Sequence, residues 1–275
     1  MKGSQNNVEK IYKALSVAGS DASGEAGMEA YLKTFEEFGV YGMTALTVIV
    51  SCDPKNNWNH VIYPLPLDII EKQLVTICEG VGCDAVKTGM LGSAELAALV
   101  ADKIKKYKLR NVVIDPVLVC KGVDEIMVPD AAAAIKKELI PLADVVTPNS
   151  VEAAYFADME KVETREEAKT AAQRIYELGA KNVVVKCGSR GQTEEYTDIL
   201  YDGKEFFELH SQRIKGAFNM GAGCTFSSAI AANLAKGQTV KDAVAEAKKY
   251  ITAALKESFP INDYVGSVKH WVKEK

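Results

Sequence analysis

"ALSVAGSDASGEAGMEAYLKTFEEFGVYGMTALTVIVS", residues 14–51, decides the fold. A short run of small and apolar residues turns through Gly19-Ser20-Asp21. It is followed by an amphipathic stretch ("GEAGMEAYLKTFEEFG") and then by a second apolar run rich in β-branched residues ("GMTALTVIVS"). Strand, helix and strand in that order form the repeating unit of a parallel sheet, because parallel neighbours need a crossover connection. The alternation continues through "LDIIEKQLVTICEGVG", then "DAVKTG" with "SAELAALVADKIKKYK", and "NVVIDPV" followed later by "DAAAAIKKELI". "ADVVTP" precedes "VEAAYFA" and "REEAKTAAQRIYELG", and "NVVVKCG" comes after them. This predicts an α/β chain with a central, mostly parallel sheet covered by helices on both faces. "EYTDILYDG" and "EFFELHS" flank Asp202-Gly203 and predict a hairpin, with helices over Thr225–Lys236 and Val240–Glu257 beyond it. No repeat or linker interrupts the series, so residues 1–275 are expected to form a single domain with a polar leader over 1–13.

Composition narrows the function class. The chain is 48% hydrophobic and 25% charged, an ordinary globular balance. A net charge of −4, with neither sign gathered into a block, gives no support for a nucleic-acid or anionic-membrane partner. No apolar run approaches the ~18 residues that cross a bilayer. The polar start lacks the apolar core of a signal peptide, so a cytoplasmic location is expected. The six cysteines form no Cys-x-x-Cys, and with three histidines no zinc spacing arises. They are expected to be reduced thiols. Cys187 reads as a core residue, whereas Cys120 and Cys224, in turn-rich or glycine-rich surroundings, invite a chemical reading.

Ligands of open α/β sheets gather at the carboxyl ends of the strands. Six polar clusters fall there: 19–24, 51–60, 87–91, 115–122, 147–152 and 186–191. The stretch "FNMGAGCTFSSAIAANLAKG" (218–237) places Gly221 and Gly223 ahead of a helix that stops at Gly237. Glycines let several N–H groups point at one spot, and a helix N-terminus adds partial positive charge, which together make an anion site. A tight turn before a packed helix is the alternative. Asn149 and Glu152, at i and i+3, read as a capping box or as a nucleotide and magnesium pair. Asp115 either ends a strand or helps to hold magnesium. Lys186 either is an exposed strand end or leans over a neighbouring site. No Gly-x₄-Gly-Lys-Ser/Thr occurs, and "GAGCTF" lacks the strand and acidic ribose ligand of a dinucleotide fingerprint.

With "KTGML", "DPVLVCKG", "VTPNSVEA" and "GAGCTFSSAIAANLAKG", the opening stretch resembles the ribokinase-like vitamin kinases. Within them it is similar to the hydroxymethylpyrimidine (phosphate) kinase group, and most to its Gram-positive-type pyridoxal kinases. The resemblance runs from Leu15 to about Phe259. It implies ATP and Mg²⁺, a homodimer, and transfer of phosphate to the hydroxymethyl group of pyridoxal, pyridoxine or pyridoxamine. Hydroxymethylpyrimidine kinase activity and a weak nucleotide-binding regulatory role are the alternatives. The resemblance assigns Gly221, Ala222, Gly223 and Cys224 to the hole for the transferring phosphate. It assigns Asn149, Lys186, Cys187, Gly188, Ser189, Arg190, Asp198, Gly223 and Lys248 to ATP, and Glu152 with Asp115 to the metal. Gly19, Asp21, Met90, Val117 and Cys120 fall around the vitamin ring, the last two in a flap over about 117–128. Cys120 is expected to add reversibly to the aldehyde of pyridoxal. The sequence departs from the pattern at Tyr31, where aspartate is usual, at Glu25, where glycine is common, and at Phe218-Asn219-Met220.

Cys224 stands where related sugar kinases carry an aspartate base. Phosphoryl transfer has a loose transition state, so positioning and charge neutralisation carry most of the rate and a strong base is not required. A thiol at a helix N-terminus is more acidic than a free one. Cys224 is therefore expected to accept the hydroxyl proton late.

Overall fold

The computed structural model describes residues 10–119, 126–187 and 195–272. Cys120, Gly188, Ser189 and Arg190 lie outside the described residues, as does most of the expected leader. Nine strands form one sheet: β1 (Lys13–Asp21), β2 (Tyr41–Asp53), β3 (Asn59–Pro64), β4 (Ala85–Thr88), β5 (Val112–Ile114), β6 (Val145–Val146), β7 (Val183–Val185), β8 (Glu195–Tyr201) and β9 (Phe206–Gln212). Their spatial order is β3-β2-β1-β4-β5-β6-β7-β8-β9. From β2 to β7 every pairing is parallel, while β3, β8 and β9 join antiparallel at the two margins.

The helices are α1 (Gly27–Glu37), α2 (Leu67–Val75), α3 (Ala94–Tyr107), α4 (Pro129–Ala134), α5 (Ser150–Phe156), α6 (Arg165–Glu177), α7 (Ala222–Ala235) and α8 (Val240–Lys256). They divide between the two faces because side chains alternate along a strand. On β1, Leu15 and Val17 face a core shared with Ile70 of α2, Val100 of α3 and Ile175 of α6. Ala14 and Ala18 face the other core, with Phe35 of α1, Ile230 of α7 and Ile251 of α8. α7 is apolar around most of its circumference, as a helix enclosed by sheet and neighbouring helices has to be.

The hairpin expected around Asp202-Gly203 is present, with Tyr201 opposite Phe206 and Glu195 opposite Gln212. The Asp202 carboxylate accepts the N–H groups of Lys204 and Glu205 and closes the turn. Two elements differ from the sequence reading. The segment after β2 turns back as β3, an edge strand exposed along most of its length, so it shows no alternation to read. α7 starts at Ala222 rather than at Thr225, because Gly221 takes a left-handed conformation (φ 75°) and acts as the cap.

Candidate active site

Five of the parallel strands end at one place. Asp115, just past β5, is buried there beside Lys87 of β4, Thr147 after β6 and Lys186 after β7. Its Oδ1 accepts from Thr147 Oγ1 (3.1 Å) and Lys186 Nζ (3.0 Å), and its Oδ2 accepts from Ser227 Oγ of α7 (2.8 Å). Lys87 Nζ is 3.7 Å from Oδ2, donates to the Thr88 carbonyl (2.9 Å) and lies 3.6 Å from the centre of the Tyr31 ring. Burial alone would raise the pKa of Asp115, but the ammonium groups of Lys186 and Lys87 outweigh it and hold the carboxyl below its usual range. Lys186 is pushed up, since the carboxylates of Asp115 and Glu152 overcome its own desolvation. Lys87 is pushed down, because burial there exceeds the attraction of Asp115.

Above this cluster sits the start of α7. A Cβ on Gly221 would overlap the Glu25 carbonyl oxygen, and the positive φ disfavours any side chain in addition. Gly221 therefore lets the loop close onto the turn between β1 and α1. First-turn N–H groups of a helix have no intrahelical acceptor, which leaves those of Gly223 and Cys224 for an anion. A Cβ on Gly223 would lie 3.4 Å from Lys186 Nζ, so the loop and the lysine face each other across a narrow gap. The thiol of Cys224 lies within the electrostatic reach of Lys87 and Tyr31. Behind the loop, Thr225 Oγ1 meets His270 Nε2 at 3.0 Å, and burial drives that imidazole down to about 4, so it stays neutral.

Asn149 and Glu152 make a complete capping box on α5. Glu152 does more than cap. Its Oε2 accepts the Asn149 N–H (2.8 Å), and its Oε1 accepts the N–H of Leu118 at the root of the expected flap (2.9 Å). Burial raises its pKa above the ordinary carboxylate value. One acceptor site on each Glu152 oxygen stays open, whereas the oxygens of Asp115 are occupied by the lysines and hydroxyls. The pair thus suits a magnesium ion that keeps its water shell, with Glu152 accepting from that water and Asp115 fixing the lysines.

The remaining expected residues fall in two places. Asp198 of β8 bonds Lys248 of α8 (2.8 Å) and the N–H of Cys187 (3.1 Å), which ties the chain just past β7 to α8. Burial pushes the Cys187 thiol up to about 12, which fits the inert core residue expected of it. On the other side, Met90 and Val117 line a cavity of 240 Å³ with Val48, Leu91, Pro116 and Leu118. Val117 has φ 48°, an outlier for a β-branched residue, and strain of that kind gathers at ligand sites. Gly19 does not line the cavity but packs on Val48, which does. Asp21 is bound into its own turn by the N–H and hydroxyl of Ser23.

A glycine-capped helix start facing a lysine–carboxylate cluster at parallel strand ends defines a phosphoryl-transfer site of the ribokinase-like fold. The chain belongs to the phosphomethylpyrimidine kinase family, which matches residues 21–269. It is 51% identical to the pyridoxine kinase of Bacillus subtilis over 94% of this chain and 96% of that one. Its structure superposes on the ADP complex of Bacillus subtilis pyridoxal kinase with a TM-score of 0.93, at 50% identity, covering 96% of this chain and 98% of that chain. Staphylococcus aureus pyridoxal kinase with AMP-PCP and pyridoxal gives a TM-score of 0.90 at 41% identity, covering 96% and 94%.

Sequence reasoning missed Lys87, Thr147 and Ser227. The available signal for Lys87 was a lysine inside a short apolar strand, "DAVKTG", where only a paired charge is tolerated.

Proposed function

We propose that the chain transfers the γ-phosphate of ATP to the hydroxymethyl group of pyridoxal, and of pyridoxine and pyridoxamine. The observation that carries this reading is the convergence of the α7 N-terminus, Lys186 and Asp115 within one hydrogen-bonded group. The apolar cavity at Met90 and Val117 receives the flat ring, which leaves the hydroxymethyl group toward Cys224. The N–H groups of Gly223 and Cys224 hold the phosphoryl oxygens, and Lys186 neutralises the charge that spreads over them. Asp115, pinned by Thr147 and Ser227, keeps that lysine aimed. The Cys224 sulfur takes the hydroxyl proton as the new bond forms. Asn149, Asp198 and Lys248 face the nucleotide, and Gly188, Ser189 and Arg190 are assigned with them. Magnesium, when bound, neutralises the ATP phosphates, and Glu152 would hold its water shell. Cys120 is kept as the thiol that closes the flap on the pyridoxal aldehyde. A homodimer through the exposed apolar edge strand (Val61, Ile62, Tyr63) would cover an edge that otherwise stands open. No helix among the described residues is long and apolar enough to cross a membrane.

The direct test is ATP-dependent product formation with pyridoxal, pyridoxine, pyridoxamine and hydroxymethylpyrimidine, scored by the ratio of kcat/KM values. Phosphorylation of the three pyridines is expected. Turnover of hydroxymethylpyrimidine alone would overturn the reading.

A further inference from the structure

Glu25 lies in the turn between β1 and α1, and its position in the site is unusual for a carboxylate. It is 0% exposed, and neither carboxylate oxygen has a hydrogen-bond partner. Trp58 and Ser23 lie close enough to favour its charged form, as does His60, yet no donor closes a bond to it. Trp58 Nε1 is likewise buried and unpartnered. Burial and the neighbouring Asp21 carboxylate push the Glu25 pKa upward. A buried carboxyl without a donor costs roughly 1–3 kcal/mol or more, and such a group persists where a ligand satisfies it.

The surroundings say which part of a ligand could reach it. The Glu25 carbonyl oxygen is packed against Gly221 of the anion loop, and two residues on, a Cβ at Gly27 would sit 2.6 Å from the Gly19 carbonyl oxygen. The turn is therefore wedged between the loop that takes the transferring phosphate and the strand end that borders the ring. A ring whose hydroxymethyl group points at Cys224 carries its adjacent ring substituent next to Glu25. In pyridoxal that substituent is an aldehyde, which accepts but cannot donate. In pyridoxine it is a neutral alcohol. In pyridoxamine it is an ammonium, and in hydroxymethylpyrimidine an aromatic amine, both donors to a carboxylate.

We infer that Glu25 is a specificity determinant that favours acceptors carrying an amino group beside the reacting hydroxymethyl, through a hydrogen bond from that nitrogen to the Glu25 carboxylate. The bond to an ammonium is charge-assisted and forms out of water, between walls that include Trp58 and the Gly221 loop. The inference rests on the proposed vitamin kinase activity and adds to it a preference among acceptors.

The experiment compares kcat/KM of the full chain and of Glu25→Gln and Glu25→Gly for pyridoxamine, pyridoxine, pyridoxal and hydroxymethylpyrimidine. The ratio of pyridoxamine to pyridoxine, or of hydroxymethylpyrimidine to pyridoxine, is expected to fall about tenfold to a hundredfold in both variants, the span of a lost charge-assisted hydrogen bond. A fall in the first ratio identifies the ammonium as the group read, and a fall in the second identifies the aromatic amine. Unchanged ratios, or equal losses with every acceptor, would overturn the inference. Folding is followed by thermal melting, and Glu25→Gly, which restores the residue common in related sequences, tests the same ratio should the glutamine variant fold poorly. Absence of turnover with every acceptor in the unsubstituted protein, despite ATP binding, would instead overturn the kinase reading and this inference with it.

Discussion

Gly221→Ala separates backbone geometry from side-chain chemistry. The residue sits at φ 75°, and a methyl group there overlaps the Glu25 carbonyl oxygen. The left-handed conformation costs an alanine roughly 1–2 kcal/mol. Relieving the overlap moves the loop by about 1 Å, a displacement that costs roughly 10²-fold in turnover when it misplaces a reacting group. Melting should fall by about 2–8 °C for a chain of this size. Gly223→Ala is the control from the same loop. Its φ is not positive, and its new methyl would touch only the flexible tip of Lys186 at 3.4 Å. That change should leave the melting temperature in place or raise it, since alanine is the better helix residue. It should act on KM for ATP, because the methyl enters the gap where the phosphate lies. The assay is steady-state kinetics at varied ATP alongside differential scanning calorimetry. Wild-type turnover in Gly221→Ala, or a larger loss of melting temperature in Gly223→Ala, would refute the reasoning.

Three further outcomes are expected. Cys224→Ala should lower kcat by about 10²–10⁴-fold with ATP affinity little changed, and wild-type turnover would remove the thiol from the mechanism. Glu152→Gln has one acceptor oxygen where the carboxylate uses two, so the N–H of Leu118 or of Asn149 is left unpaired, at a cost of about 1–3 kcal/mol. If Glu152 also faces the metal's water shell, the magnesium concentration for half-maximal rate should rise, and an unchanged magnesium titration would confine it to capping and anchoring. For His270, the folded value of about 4 lies below the ordinary 6.5, so its contribution is full above pH 6.5 and is lost as pH falls toward 4. That corresponds to a loss of about 3 kcal/mol in denaturant-melt stability over this window, at ~1.4 kcal/mol per pH unit, and His270→Asn should flatten it.

Much of this was legible because each feature follows from local chemistry. Residues 14–51 announce a strand, a helix and a strand by periodicity alone, and Asp202-Gly203 fixes its hairpin by turn chemistry. The two glycines at 221 and 223 marked the anion loop. What stayed hidden depends on contacts between distant segments. Glu152 reads as a capping residue from its spacing and is one, but its bond to Leu118 links positions that no local pattern relates. Asp115 reads as a strand end, and nothing nearby in the chain says that Lys87, Lys186, Thr147 and Ser227 all converge on it. β3 escaped for a different reason: exposed along most of its length, it lacks the hydrophobic face that would have marked it.

The contact between Gly221 and the Glu25 carbonyl has a bearing on synthesis of the chain. One partner leaves the ribosome early and the other near the end, and the sheet that brings them together is built from non-local parallel pairings, which form slowly. A growing chain can settle β1, α1 and β2 long before α7 exists, yet in that state it has no anion loop. Phosphoryl transfer is thus withheld until α7 has docked, and an incomplete polypeptide cannot spend ATP on water. The appearance of activity during translation would accordingly serve as a clock for the last stage of folding.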